Sequence, residues 1–381
     1  MTDRTPSEEL WLRVTGALNR DRYDLAVLAA AGYPPELRLA GTPLLAPPAW
    51  RLPGPVKLDS VRLEFRQDAP RPDVPDVAAL AGYALPERAD GTRYQRYSDV
   101  VAALAAPAVF ENRPIYRLIE ATLAGADAEA GPAAQAGPRL AFSRGRFFDG
   151  IDDSGPAGLE FAAAQCGVAP GRRPYRAALG GPACLAGRSA TMATSALTLR
   201  YDRVSGTATF PLHYRHPGKV SHAGGLYQVI PVGVFQPSGE ARWNEDNDFS
   251  LWRGLLREYA EELLGADEDH GSERAPIDYA AWPLAKAMTD ALADGRVQAW
   301  CLGLGVDPLT FALDLLAVVV IDAPLYDDLF GALVDANAEG RVIKPRPFDE
   351  PSVTELIAGT PLQAAAEALL TLALTHRDAL L

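Results

Sequence analysis

Two hydrophobic periods alternate along the second half of this chain. Leu197, Leu199 and Tyr201 take turns with Thr198 and Arg200, a Val204-Ser205-Gly206 turn follows, and Ala208, Phe210, Leu212 and Tyr214 alternate again. Successive side chains of a strand point to opposite faces, so this spacing predicts a β-hairpin. Leu226 to Phe235 predicts a third strand, ended by Pro237-Ser238-Gly239. The period then changes: Trp252, Leu255, Leu256, Tyr259 and Leu263 form one stripe at about 100° per residue. That predicts a helix beginning near Phe249 with Asp248 as its N-cap. A helix over Tyr279 to Leu292 stops near Gly295, strands follow at Val297 to Leu304 and Phe311 to Ile321, and helices at Pro324 to Asn337 and Pro361 to His376.

The first half is less regular. Pro43, Pro47, Pro48, Pro53 and Pro55, then Pro70, Pro72 and Pro75, remove amide donors and restrict φ, which excludes a long helix there. Ser7 to Leu18 has helical spacing, Val56 to Arg66 alternates as a strand would, and Tyr94 to Leu104 and Tyr116 to Leu123 are short helix candidates. Ala124 to Pro138 is an Ala/Gly/Pro/Asp stretch with little to pack, expected to form a flexible surface loop. A chain of 381 residues is long enough for about two or three cores. The expectation is an α+β protein with an N-terminal mixed α/β domain of unknown role in 1–185 and a second domain in 186–381.

Composition narrows the function classes. No apolar run approaches the ~20 residues that span a bilayer; the longest candidate, Phe311 to Ile321, is broken by Asp314. The N-terminus lacks the pattern of a secretory signal, and Cys166, Cys184 and Cys301 are too few and too scattered for a disulfide framework or a zinc ribbon. A cytoplasmic protein with no membrane partner is expected, its cysteines acting as small buried hydrophobes. Residues 1–185 hold 21 Lys or Arg against 22 Asp or Glu, so the net charge of −13 leaves −12 for the remainder. There, 187–237 carries five basic residues against one acidic, and 240–273 three against eleven. A basic strand region thus precedes an acidic helix. This suits an anionic small molecule bridged to carboxylates by metal and disfavours direct binding of duplex nucleic acid.

The acidic helix carries the chemistry. Glu258, Glu261 and Glu262 fall within an arc of roughly 100° on the side away from the apolar stripe. Like charges at i,i+4, as at Glu258 and Glu262, repel. Arg257 can offset one carboxylate, and a hard cation such as Mg²⁺, Mn²⁺ or Ca²⁺ the others. The competing interpretation is a solvated face laced by Arg253, Arg257 and Glu261, spaced four apart. Arg257 and Glu261 can pair across one turn, which would leave Glu258 and Glu262 stacked and unpaired.

Residues 257–262, Arg-Glu-Tyr-Ala-Glu-Glu, resemble the second half of the Nudix box, Arg-Glu-apolar-x-Glu-Glu-x-Gly-apolar, found in enzymes that hydrolyse nucleoside diphosphates linked to another moiety. The family glycine falls on Leu264, with Gly265 one residue later, and the family's earlier glycine and glutamate fall on Trp243 and Phe249. Gly239 and Glu240, or Glu245, Asp246 and Asp248, are substitutes that an insertion would allow. The order strands, acidic helix, strands, helix over 190–345 is that of a Nudix-like α/β/α sandwich. Asn112-Arg113-Pro114, Phe148-Asp149-Gly150 and the run from Ala223 to Ser238 are similar to a group of actinobacterial proteins with Nudix-like C-terminal regions, often labelled transcriptional regulators. The resemblance implies that Glu261 and Glu262 bind Mg²⁺ or Mn²⁺, that Glu258 binds a further metal or acts as base toward a water, and that Arg257 orients a carboxylate.

Two functions follow from that resemblance: hydrolysis of a pyrophosphate bond in a nucleoside diphosphate derivative, or a catalytically inactive Nudix-like module that binds a nucleotide as a sensor. No helix-turn-helix is recognisable, so a regulator would need a separate DNA-binding partner; a homodimer is compatible with either function. Substrate contact is expected at the hairpin end, where Arg215, His216 and Lys219 flank Pro217-Gly218, and Gly224-Gly225 opens the next strand with little bulk. An exposed polar turn is the plainer alternative. His213, His216 and His222 have no accompanying cysteine and make a weak zinc motif. Asp149, Asp152 and Asp153 are expected in a turn, or else in a second metal or substrate role. Trp252 belongs with the core, Trp243 could stack on a base, and Arg172, Arg173 and Arg176 could touch phosphate.

Overall fold

The computed structural model describes residues 4–124, 137–169, 171–215, 224–266, 270–331 and 340–381. In chain order the first elements are α1 (Pro6–Arg20), α2 (Arg22–Ala31), β1 (Arg51–Lys57), β2 (Arg62–Phe65), α3 (Val77–Leu80), α4 (Tyr97–Leu104), β3 (Pro114–Thr122), β4 (Arg139–Arg146), α5 (Phe147–Gln165) and α6 (Pro174–Ala178). There follow β5 (Ala190–Asp202), β6 (Thr207–Arg215), β7 (Tyr227–Gln228), β8 (Val232–Val234), α7 (Trp243–Asn247), α8 (Leu251–Leu264), α9 (Pro283–Asp294), β9 (Val297–Val306) and β10 (Leu313–Asp322). The last are α10 (Ala323–Phe330), β11 (Gly340–Pro347), α11 (Glu350–Gly359), α12 (Ala364–Thr375) and α13 (Arg377–Leu380). The class is α+β, built on a mixed sheet.

Strand β5 is the spine of that sheet. One edge pairs with parallel β10 from Met192 opposite Leu313 to Tyr201 opposite Asp322. The other edge is shared in succession by three antiparallel partners: β3 at Ala190 and Thr191, β8 at Ala193 to Ser195, and β6 at Arg200 to Asp202. Between the last two, Ala196 N donates to the Pro231 carbonyl at 2.9 Å and Thr198 Oγ1 to the Ile230 carbonyl at 2.7 Å. Beyond Thr209, β6 leaves β5 and pairs with β7 and β11 instead. The sheet therefore forks, with residues 226–234 inserted between the two tines.

The sheet runs β1-β9-β10-β5-β3-β4-β2. The expected boundary at 185/186 falls in the loop before β5, and strand pairing crosses it at two places, from β1 to β9 and from β3 to β5. Strand β10 is buried along nearly its whole length on both faces, as central parallel strands are. Helix α12 packs on β10, β5 and β9, and α8 on β8 and β5. Among the described residues no helix is long and apolar enough to cross a membrane.

Several expectations change. Tyr116 to Leu123 is strand β3 rather than a helix; its run of buried residues has no period that separates the two. Val56 to Arg66 is interrupted by a single 3₁₀ turn at Leu58–Ser60. Leu226 to Phe235 is two short strands, because its beginning follows β6 and its end follows β5. The helix expected to reach Asn337 is described only to Phe330, since 332–339 lie outside the described residues, as do 125–136 of the Ala/Gly/Pro/Asp stretch. Cys301 is buried, but Cys184 is half-buried and Cys166 exposed.

Asp314 sits within buried β10 and accepts a hydrogen bond from Ser195 Oγ at 2.8 Å. Burial pushes its carboxyl up to about 7; the Ser195 hydrogen bond and Arg215 pull the other way, and Asp307 adds to the rise. The unfolded chain titrates near ~3.9, so between these values the folded state holds a proton the unfolded state has released. The stability this contributes is complete below the unfolded value and is lost as pH rises through about 7. Urea denaturation at pH 5 and pH 8 checks this: the wild type should lose more stability between them than Asp314→Asn, whose amide oxygen still accepts from Ser195. Equal pH dependence in both proteins would show that Asp314 titrates normally.

Candidate functional site

Helix α8 forms where the apolar period placed it. Ser250, not Asp248, is the N-cap, its hydroxyl accepting from Arg253 N at 3.4 Å. Gly265 ends the helix in the left-handed conformation at φ 70°, which a residue with a Cβ adopts at a cost. Leu255, Leu256, Tyr259 and Leu263 are buried as expected, with Trp252 half-buried. Tyr259 Oη lies 2.7 Å from Thr198 Oγ1. Because the Thr198 hydroxyl hydrogen goes to the Ile230 carbonyl, the tyrosine is the donor, and the pair ties α8 to the middle of β5.

Arg257 turns inward rather than toward Glu261. Its Nη1 donates to Tyr279 Oη and its Nη2 to the Gln236 carbonyl, both at 2.6 Å, and Nη1 lies 3.5 Å from Asp248 Oδ1. Tyr279 Oη donates to the same Asp248 oxygen at 2.8 Å, while Oδ2 accepts from Ser238 N and Oγ at 2.8 and 2.6 Å. Burial opposes the Arg257 charge, but Tyr279 and Asp248 outweigh it and hold the guanidinium above its ordinary value. Burial likewise raises the Tyr279 phenol. The result is a buried guanidinium, carboxylate and phenol with their bonding capacity largely filled.

The three glutamates do not form one solvated face. Glu262 is 4% exposed; its Oε1 accepts from Val232 N at 3.2 Å, and Oε2 lies 3.8 Å from Nδ1 of His213, which is fully buried. Glu258 is half-buried, its carboxylate resting over β8 so closely that a Cβ on Gly233 would lie 1.8 Å from it. Glu261 Oε1 is 2.9 Å from His270 Nε2, and that imidazole in turn packs against Trp282. Two carboxylates one turn apart are thus brought onto the short strand that fills the fork, and the third is directed to a loop. Among the described residues no three His, Cys, Asp or Glu side chains converge as a metal-ligand group; Asp267, Glu268 and Asp269, beside His270, lie outside the described residues.

Of the expected substrate contacts, His216 and Lys219 lie outside the described residues, as does His222. Arg215 ends β6, and strand alternation puts it on the same side as His213. Its charge is felt by Arg22 and Asp314. Gly224 is buried, and Gly225 closes a turn at φ 85°, donating to the Arg215 carbonyl at 2.9 Å. Asp149, Asp152 and Asp153 lie on α5 rather than in a turn, and each has a structural partner: Arg146 N, Ser98 N and Ser189 N respectively. Arg176 is buried against the Ala157, Pro308 and Leu309 carbonyls, and Arg173 stacks over Phe161. Trp243 is partly exposed, with its indole N–H on the Ser272 carbonyl.

His213, Tyr279 and His270 complete the surroundings of α8 but were not assigned there from the sequence, and Asp248, expected as the N-cap or a substitute carboxylate, is instead the partner of Arg257 and Tyr279. His213 shared a histidine cluster with its neighbours, and Asp248 stood beside the position where a carboxylate was sought. Tyr279 and His270 carry no local signal. No known protein-family model matches the chain, and no curated protein matches its sequence at a significant level.

The buried unit around Arg257 is open to test. Arg257→Met should cost about 3–5 kcal/mol in urea denaturation because it leaves Asp248 uncompensated. Adding Asp248→Asn should recover part of that loss. Strictly additive losses would show that the two residues do not act together.

Proposed function

We propose that this protein is a Nudix-like hydrolase that uses Mg²⁺ or Mn²⁺ to cleave a pyrophosphate bond in a nucleoside diphosphate derivative, with its site at the fork of the sheet beneath α8. The observation that carries the proposal is the placement of Glu258 over Gly233. Any side chain at 233 would fill the space the carboxylate occupies. Hard carboxylate oxygens suit Mg²⁺ or Mn²⁺; Glu258 and Glu262, one turn apart over β8, would hold the cation, and Glu261 would join them only by leaving His270. The cation would neutralise charge on the pyrophosphate and make a water acidic enough to react.

The chain's own groups have distinct parts in this scheme. Glu258, half-buried and accessible from one side, takes the proton of the attacking water. Arg257 touches no substrate; anchored by Asp248, Tyr279 and Gln236, it is a positioning residue that fixes the turn of helix from which Glu258 projects. His213 and the Val232 amide hold Glu262. Arg215, with Gly224 and Gly225 beside it, supplies positive charge for a phosphate group.

One observation favours a second reading, a nucleotide-binding module without turnover: Glu262 is almost wholly buried, and Glu261 is engaged with His270. A panel of ADP-ribose, NADH, dinucleoside polyphosphates and nucleotide sugars with Mg²⁺ or Mn²⁺ separates the two. The hydrolase should release phosphate or nucleoside monophosphate, and Glu258→Gln should lower turnover by roughly 10²–10⁴-fold with the folding transition unchanged. Calorimetry should show Mn²⁺ binding that the same substitution weakens. Tight nucleotide binding with no release, in wild type and variant alike, would establish the module instead.

A further inference from the structure

A cavity of about 660 Å³ lies away from the fork, between the loop after β2, strand β3 and the segment leading into β5. Arg66, Arg71 and Arg117 line it, against a single carboxylate, Asp68, which acts on Arg144. The rest of the wall is mainly apolar, from Pro70, Pro72, Ile119 and Leu185. Its size is that of a small-molecule pocket, in which a mostly apolar lining carries a few polar groups.

The three guanidinium groups differ in how their charge is met. Arg66 is matched by Glu64 at 2.7 Å and Glu120 at 2.9 Å. Arg117 is not matched. It is 6% exposed, its Nε and Nη2 donate to Ser143 Oγ at 3.1 and 2.8 Å, and Nη2 also donates to the Pro70 carbonyl at 2.8 Å. All these acceptors are neutral, and Nη1 makes no hydrogen bond among the described residues. Asp149 and Asp153, whose charges act on Arg117, are hydrogen-bonded to the Arg146 and Ser189 amides. Burial draws Arg117 below its ordinary value, and the like charge of Arg71 adds to this. Arg71, exposed on the rim, has no ion pair or hydrogen bond among the described residues.

A buried cation with only neutral partners beside a second unpaired cation is unfavourable unless an anion joins them. We propose that this cavity binds a small organic anion, a carboxylate or phosphate head on an apolar body, with Arg117 and Arg71 holding the head and Ile119, Leu185 and the prolines covering the body. The planar guanidinium suits either head.

Benzoate and phenyl phosphate distinguish the two heads, and benzyl alcohol is the neutral control. Calorimetry on the full chain in the presence of a chelator isolates this site from any metal-dependent binding at α8, so the outcome is independent of the hydrolase proposal. At least one of the two anions should bind saturably, more weakly as salt is raised, and benzyl alcohol should not bind. Arg71→Ala should weaken binding about tenfold or more, Arg117→Met should abolish it, and Arg62→Ala, an exposed arginine outside the cavity, should leave it unchanged. If Arg117→Met does not fold, Arg71→Ala still decides. Absence of saturable binding by both anions, or binding unaffected by Arg71→Ala, overturns the proposal.

Discussion

A strand has two edges, and every buried amide along each must find an acceptor. In β5 this constraint shapes the molecule. With one edge committed to β10, the other must be filled along its length, and no single partner does so: β3, β8 and β6 take successive sections, while between them the Pro231 carbonyl accepts from the Ala196 amide and the Ile230 carbonyl from the Thr198 hydroxyl. The first join binds the N-terminal half to the sheet. The second and third create the fork, and the fork sets the surroundings of α8. Glu258 and Glu262 can reach the backbone of β8 because β6 has already turned away, leaving His213 on the far side of the gap.

Buried arginine charge is treated in two ways in this molecule. Around Arg257, the guanidinium, carboxylate, phenol and two backbone groups satisfy one another, which is the condition under which a buried ion pair can be kept without a large penalty. Such a unit locks α7, α8 and the segment before α9 in one register. Around Arg117 the acceptors are neutral and one nitrogen is left over, so its charge is held in place without being cancelled. The first arrangement is complete within the protein. The second is the one that the proposed anion would complete.

Much of this was legible in the sequence, and the rest was not for physical reasons. The helix at 251–264 and the hairpin at 197–214 announce themselves because each buries one face and exposes the other. Helix α5 gave no such signal: Gly150, Gly155, Pro156 and Gly158 all disfavour a helix. Packing overrides that preference, since a Cβ at Gly155 would lie 2.3 Å from the Tyr97 ring and one at Gly150 2.2 Å from Thr191. The glycines are there so that neighbours can approach. Strand β3 was taken for a helix because burial on both faces erases the alternation. Arg257 and the glutamates were found by pattern, but their directions were not. Whether a charged side chain on a helix meets solvent or a strand depends on which strands leave the sheet nearby.

The positions at which the sequence differs from the Nudix box it resembles have definite places in this structure. Phe249 stands where the family has a glutamate, and it packs among Phe65, Tyr116, Phe142 and Phe235, rings contributed by β2, β3, β4 and the end of the β8 segment. A carboxylate there would be buried among aromatic faces without a partner, at a large desolvation cost. Asp248, one residue earlier, meets Arg257, while Phe249 joins the two halves through the aromatic cluster. The displaced glycine has a similar basis: Gly265 serves as the left-handed end of α8 and requires no glycine at Leu264, which is exposed. Glu258 rests over Gly233, where any side chain would take its place, and it is on this placement that the hydrolase proposal turns.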